Sequence, residues 1–130
     1  MSDLITLIDP PELPQNPAFS SGAITRAGAT LYVGGQNGID SAGDLVDGIA
    51  AQTAQALRNV LSVLAAAGTG PEHVAKLTIY LAPGVDPSAG FAASRDVWGD
   101  NRTAITALSV HALALPGALV EIEAVAAIPE

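Results

Sequence analysis

At 130 residues the chain has room for one compact domain around a single sizeable core. With 49% hydrophobic and only 14% charged residues it has the composition of a packed protein rather than a disordered one. Thirteen acids against five lysines and arginines give a formal net charge of −8, a field that repels phosphate backbones and argues against a nucleic-acid partner.

No cysteine is present, which removes disulfides, thiolate nucleophiles, Cys-ligated zinc and iron–sulfur clusters together. Met1-Ser2-Asp3-Leu4-Ile5 has neither a basic n-region nor an apolar h-region, and no stretch reaches the ~18 apolar residues of a membrane span. The expectation is a cytoplasmic protein with no membrane partner.

Leu4 to Ile8 reads as a short strand, and Pro10, Pro11, Pro14 and Pro17 then forbid a helix and leave a coil. Ala23–Arg26 and Thr30–Val33 are β-rich and flank Ala27-Gly28-Ala29, a spacing that predicts a hairpin. From Gly48 to Ala67, apolar or small residues at Ile49, Thr53, Ala56, Leu57, Val60, Leu61 and Leu64 follow the helical period, with Asp47 as expected N-cap and Gly68 as stop. His73 to Leu81 is a predicted strand with Val74, Lys76, Thr78 and Tyr80 on one face. Phe91 to Trp98 is a short second helix, and Thr103–Ala112 and Ala118–Ala127 are closing strands around the Pro116-Gly117 turn. About six strands and two helices make an α+β mixed sheet with helices on one face. Because both parities of several strands look apolar, the uncovered face is expected to be buried against other copies of the chain.

Four stretches in register resemble the Rid family, also called YjgF. They are Phe19-Ser20-Ser21-Gly22-Ala23, Val33-Gly34-Gly35-Gln36, Ala51-Gln52-Thr53-Ala54-Gln55-Ala56-Leu57-Arg58-Asn59-Val60 and Leu119-Val120-Glu121-Ile122-Glu123-Ala124-Val125-Ala126. They are similar to that family's P-[YF]-S-x-A entry, S-G-Q strand end, A-Q-T-x-Q-A-L-x-N helix and V-E-I-E-A closing strand. The resemblance spans nearly the whole of residues 1–130 as a single domain. It implies a chorismate-mutase-like α+β fold, a homotrimer, and small-molecule sites in the clefts between subunits. Family members that are enzymes hydrolyse reactive enamines and imines to a 2-keto acid and ammonia, without cofactor or metal.

That chemistry needs a cation for the substrate carboxylate, an acid that orients water and moves its proton, and backbone donors for developing charge. The resemblance makes Glu121 the water-orienting acid. Read from the residues alone, Glu121 and Glu123 are the solvated face of an edge strand, and Glu123 is taken as structural. The family's arginine falls in a R-P-A-R-S-like run, here Arg102-Thr103-Ala104-Ile105-Thr106, and Ile105 occupies its position. Isoleucine cannot bind a carboxylate, so the family's standard substrate is not carried over with the resemblance. Arg102 matches the first arginine of the run, but its odd offset turns it to the opposite strand face unless a loop re-aims it. Its other reading is a surface arginine paired with Asp100 or a neighbouring subunit. A second helix about one turn shorter than is usual in the family would reshape the cleft. Phe19, Ser20, Gly34, Gly35, Gln36, Trp98 and Ala107 complete the expected wall: Phe19 stands where tyrosine is common, the glycines allow close approach, and Ala107 offers a main-chain N–H. Asn37-Gly38 reads first as a turn and second as a polar contact.

Other signals fall away. The glycine-rich run at 34–38 lacks nucleotide-loop spacing. Two histidines, His73 and His111, make no metal centre, although His111 near the presumed cleft is a reserve proton carrier. Ser20, Ser21 and Ser109 have no evident base. The expected function is hydrolysis of an imine or enamine with altered substrate specificity. The alternatives are a non-catalytic trimer that binds a small metabolite and, against the charge balance, an endoribonuclease.

Overall fold

A central strand, Val120–Ala127, which alternates in and out as far as Ala126, sets the architecture. Its Val120, Ile122, Ala124 and Ala126 are buried on one side, while Glu121, Glu123 and Val125 turn to the other. The computed structural model describes residues 3–130. In chain order its elements are β1 (Ile5–Ile8), β2 (Gly22–Thr25), β3 (Thr30–Asn37), α1 (Ile49–Ala66), β4 (Val74–Leu81), α2 (Pro87–Trp98), β5 (Ala104–Ser109) and β6 (Val120–Ala127). This is the expected α+β set of six strands and two helices. Four strands form a mixed sheet in the order β3-β6-β4-β5, and β1 and β2 form a separate ribbon. No helix among the described residues is long and apolar enough to cross a membrane.

The expected hairpin between the second and third strands is not formed. β2 pairs with β1, from Ile5↔Thr25 to Ile8↔Gly22, and the Arg26 N–H continues the ribbon by donating to the Leu4 carbonyl at 3.0 Å. Gly28 has φ 152°, well outside the roughly +60 to +90° of tight hairpin turns, so the chain leaves the ribbon instead of folding back. β3 is thereby free to pair with β6. The two closing strands are also not neighbours: β4 lies between them, antiparallel to β6 and parallel to β5. The parallel β4–β5 pair needs a crossover connection, and α2 supplies it.

α1 buries Gln52, Thr53, Ala56, Leu57, Val60 and Leu64 against the sheet and α2. Its C-terminus is a Schellman stop, in which Gly68 (φ 78°) donates to the Ala65 carbonyl and Thr69 to the Leu64 carbonyl, both at 3.0 Å. Gly48, not Asp47, is the N-cap, and no side chain caps the helix. α2 starts four residues before the expected Phe91, because Pro87 serves as first helical residue and Asp86 caps it by accepting the Ser88 N–H at 2.9 Å.

β4 departs from simple alternation. A register shift between Val74 and Lys76 puts Val74, 1% exposed, on the core side with Leu77, Ile79 and Leu81, while Lys76, Thr78 and Tyr80 share the other face. That other face carries Tyr32, Val125 and Leu108 among Lys76, Thr78, Thr106, Glu121 and Glu123. It is mixed rather than apolar, because the residues opposite the core on β4 and β6 are mostly polar.

Candidate active site

Glu121 is placed by the alternation of β6 on the sheet face without helices. It is half-buried and sits across from Asn37 on β3 and Tyr80 on β4. Asn37 Nδ2 donates to the Val120 carbonyl at 3.1 Å and reaches Glu121 Oε1 at 3.4 Å. The Asn37 carbonyl in turn accepts from Asn59 Nδ2 at 3.1 Å, which also donates to the Ile39 carbonyl at 2.9 Å. Gln55 Nε2 fixes the Asn59 amide by donating to its Oδ1 at 2.9 Å. The polar residues of α1 therefore reach, through β3, to the acid on β6.

Gly35 lies under the carboxylate. A Cβ there would collide with Glu121 Oε2, so only glycine lets the acid lie flat against β3. Gly34 and Gly35 form the irregularity between Val33 and Gln36 in the β3–β6 ladder. The shift leaves Gln36 opposite Ile122, on the helix-facing parity, and its Nε2 folds back to the Gly34 carbonyl at 3.1 Å.

Tyr80 completes the polar cluster: its hydroxyl donates to Glu123 Oε1 in a short contact. That bond, with burial and the charges of Glu123 and Glu121 behind it, holds the phenol above its ordinary pKa. Gly35, Tyr80, Glu121 and Glu123, with Val110 and residues 112–114 of the loop after β5, line a cleft of about 390 Å³. His111 lies beyond the end of β5, exposed, and is not part of this lining. No group of three or more metal-ligating side chains occurs among the described residues.

The remaining expected wall residues stand elsewhere. Ile105 pairs with Leu77 and Ala107 with Ile79, which turns both toward the helices. With Phe19, Trp98 and Arg102 they line a second cavity, of about 460 Å³, on the opposite side of the sheet from Glu121. Ser20 is buried, and its N–H donates to the Thr103 carbonyl at 3.0 Å, joining the N-terminal coil to the start of β5. Arg102 pins the same coil: its Nη2 lies 3.0 Å from the Phe19 carbonyl, 3.1 Å from the Asn16 carbonyl and 3.4 Å from Asp9 Oδ2. Asp100 pairs instead with Arg95, at 3.6 Å.

The sequence does not single out Tyr80 as a site residue, and it ranks Asn37 as a turn before a polar contact, whereas the polar contact is what forms. The signal for both was register: each stands directly across from Glu121 once the strands are paired. Asn37 ends β3 rather than opening a loop.

The fold and cleft define a class, small α+β proteins with a glutamate on the open face of a helix-backed sheet. Residues 12–128 match the family model described as endoribonuclease L-PSP, and the chain belongs to this family, the YjgF/Rid proteins. It is 36% identical over 103 residues to a RutC family protein of Pyrococcus horikoshii, covering 78% of this chain and 81% of that one. It is 39% identical over 99 residues to the human 2-iminobutanoate/2-iminopropanoate deaminase, covering 75% of this chain and 72% of that one. Among solved structures it is similar to a Yersinia pestis member of the Rid family of unknown function, with TM-score 0.84 and 32% identity over 96% of this chain and 99% of that one.

Proposed function

We propose that the chain is a cytoplasmic hydrolase of reactive imines and enamines, assembled as a homotrimer, with Glu121 as the general base in each cleft between protomers. The observation that carries this reading is the seating of the Glu121 carboxylate, against Gly35 and within reach of the Asn37 amide, on the wall of an open cleft. The deaminase name of the human relative supports the reaction class.

The step balances simply. Water adds through oxygen to the imine carbon, Glu121 takes its proton, and the C=N electron pair moves to nitrogen, which is protonated. The carbinolamine then collapses as its C–N bond breaks, releasing ammonia and leaving a carbonyl compound. An enamine enters the same route after protonation at its β-carbon. Tyr80, hydrogen-bonded to Glu123, is held as the neutral phenol and keeps a proton at the cleft wall.

Substrate choice follows from the cation. Among the described residues no lysine or arginine lines the Glu121 cleft of the protomer, and Ile105 stands on the far side of the sheet. A substrate carboxylate beside Glu121 and Glu123 would meet like charge, so the proposed substrate is an imine without one. The test is ammonia release from 2-iminobutanoate and from butan-2-imine, both generated in situ. The expected result is acceleration of butan-2-imine hydrolysis that Glu121→Gln abolishes. Acceleration of neither substrate, or activity indifferent to Glu121→Gln, overturns the hydrolase reading, and a preference for 2-iminobutanoate overturns the specificity.

A further inference from the structure

Among the described residues that line the Glu121 cleft, Tyr80, Glu121 and Glu123 alone carry polar side-chain groups. Tyr80 stands directly across from Glu121 in the β4–β6 ladder, and its hydroxyl donates to Glu123 Oε1. Glu121 and Glu123 are successive same-face positions of β6, a spacing of about 7 Å in a strand. The phenol oxygen is therefore held beside Glu123, one strand repeat from the acid that orients water. That interval takes a water on Glu121 and a C=N bond beyond it, carbon toward the water and nitrogen toward the phenol.

What the phenol offers a ligand follows from where its proton goes. A phenol has one proton to donate and lone pairs that accept, and here the proton is committed to the Glu123 carboxylate. An acceptor remains, and donation to a charged group strengthens it. That bond first, then burial and the charges of Glu123 and Glu121, keep the phenol protonated at neutral pH. No cation opposes it from the neighbouring elements among the described residues. β5 places Leu108 opposite Tyr80, the loop after β5 contributes Val110 and residues 112–114, and His111 is exposed outside the lining. Lys76, two same-face positions back along β4, donates to Thr106 Oγ1 at 2.6 Å.

We propose that Tyr80, backed by Glu123, selects the protonated form of the substrate: its oxygen accepts a hydrogen bond from the N–H of an iminium cation while Glu121 presents water to the adjacent carbon. The inference rests on the hydrolase reading and deepens it, since protonation is what makes a C=N carbon a strong electrophile. As the water oxygen bonds to carbon, Glu121 takes one water proton. The C=N π pair moves to nitrogen and cancels its charge, leaving a neutral carbinolamine.

The probes are propionamidinium, a planar cation shaped like the butan-2-iminium ion, and propionamide, its neutral counterpart. Dissociation constants are measured by NMR titration of the intact protein at about 0.15 M salt, where attraction to distant surface charge is screened. Propionamidinium is expected to bind about tenfold or more tightly than propionamide. Tyr80→Phe, which leaves the net charge unchanged, should remove most of that preference, and Glu123→Gln, which keeps an acceptor for the hydroxyl, should reduce it. In turnover of butan-2-imine, Tyr80→Phe should move the falling alkaline limb of kcat down by about one pH unit, with little loss at lower pH. Equal binding of the two probes, or a preference unchanged in both variants, overturns the proposal and leaves Glu121-dependent hydrolysis standing. So does a Tyr80→Phe loss of the same size at every pH, which a merely structural role would give. Absence of any Glu121-dependent hydrolysis overturns the hydrolase reading, and the proposal falls with it whatever the probes do.

Discussion

Glu121 and Gly35 are matched across the β3–β6 ladder: the carboxylate occupies the volume that any Cβ at position 35 would need. Gly35→Ala must therefore push the acid away from β3 and from the Asn37 amide. Gly35 does not have a positive φ, so the backbone accepts alanine without strain and the displacement falls on the flexible glutamate side chain. The expected outcome is a fall in kcat/KM for imine hydrolysis of about 10²-fold, within the usual range for a misplaced general base, with little change in Tm. Full activity in Gly35→Ala would show that the position of the carboxylate is immaterial.

Asn59 connects α1 to that site. Its amide donates to the Asn37 and Ile39 carbonyls and accepts from Gln55, all at part-buried positions. Asn59→Leu removes both donors; the Asn37 carbonyl keeps the Ile39 N–H at 2.8 Å, but the Ile39 carbonyl loses its side-chain donor, a cost of about 1–3 kcal/mol where burial excludes water. The expected outcome is a lower urea midpoint together with a drop in kcat at nearly unchanged KM, since Asn59 positions Asn37 and touches no substrate. Asn59→Asp, which retains the acceptor for Gln55, should recover neither property.

How much of this was legible without coordinates depends on what fixed each feature. The α1 stop at Gly68, the alternation of β6 and the family motifs were readable, because caps, period and motif are local. The Asp86-Pro87-Ser88 start of α2 is also a local signal, but it precedes the apolar residues, which begin only at Phe91. What could not be read was pairing. Nothing local says that β2 takes β1 in place of β3, or that the bulge at Ala75 reverses the parity of Val74. The same limit divided the site: Ile105 and Glu121 belong to one motif set by resemblance, yet the ladders carry them to opposite faces of the sheet.

Tyr80 and Glu123 make the protein sensitive to alkali. The phenol is held above its ordinary pKa chiefly by its bond to Glu123, so the protonated form is favoured by folding. A raised folded value contributes stability that is complete below the unfolded value near 10 and is lost as pH rises through the folded value. Tyr32→Phe leaves Tyr80 as the only phenol, since the chain has two tyrosines. Its phenolate absorbance should then appear only above pH 10, and Glu123→Gln should bring the transition down. A Tyr80 transition that ignores Glu123→Gln would discard the pairing.

At the other end of the pH scale the N-terminal coil depends on Asp9. Its carboxyl is held below the ordinary value first by the Ser21 N–H, against the opposing effect of burial, with Ser20 and Arg102 adding to the lowering. A depressed value contributes order that is complete above the unfolded value near 3.8 and is lost as pH falls through the folded one. The protection of the Ser21 amide, its exchange rate relative to the intrinsic rate at the same pH, is expected to fall only below the ordinary carboxylate range, and Asp9→Asn should show faster exchange at neutral pH. Exchange that is equally slow in Asp9→Asn would mean that the 3.0 Å bond to Ser21 contributes nothing to the coil.

The contact between the helices is set by one missing methyl. Gly90 is buried, and a Cβ on it would approach Thr53 Oγ1 to 2.7 Å, with Ile49 Cγ1 at 3.4 Å. Thr53 is itself 6% exposed and enclosed by the interface, so it has little room to yield. In an exposed helix, replacing glycine by alanine gains about 1 kcal/mol of propensity. Here overpacking, which typically costs about 1–3 kcal/mol, should outweigh that gain. Gly90→Ala is therefore expected to lower stability despite its better helix former, and Thr53→Ala in the same chain should restore much of the loss by removing the opposing oxygen. The double-mutant cycle measured by urea unfolding should give a coupling of about 0.5–3 kcal/mol with the sign of relief. Strict additivity of the two substitutions would place the close approach of α1 and α2 somewhere other than this pair.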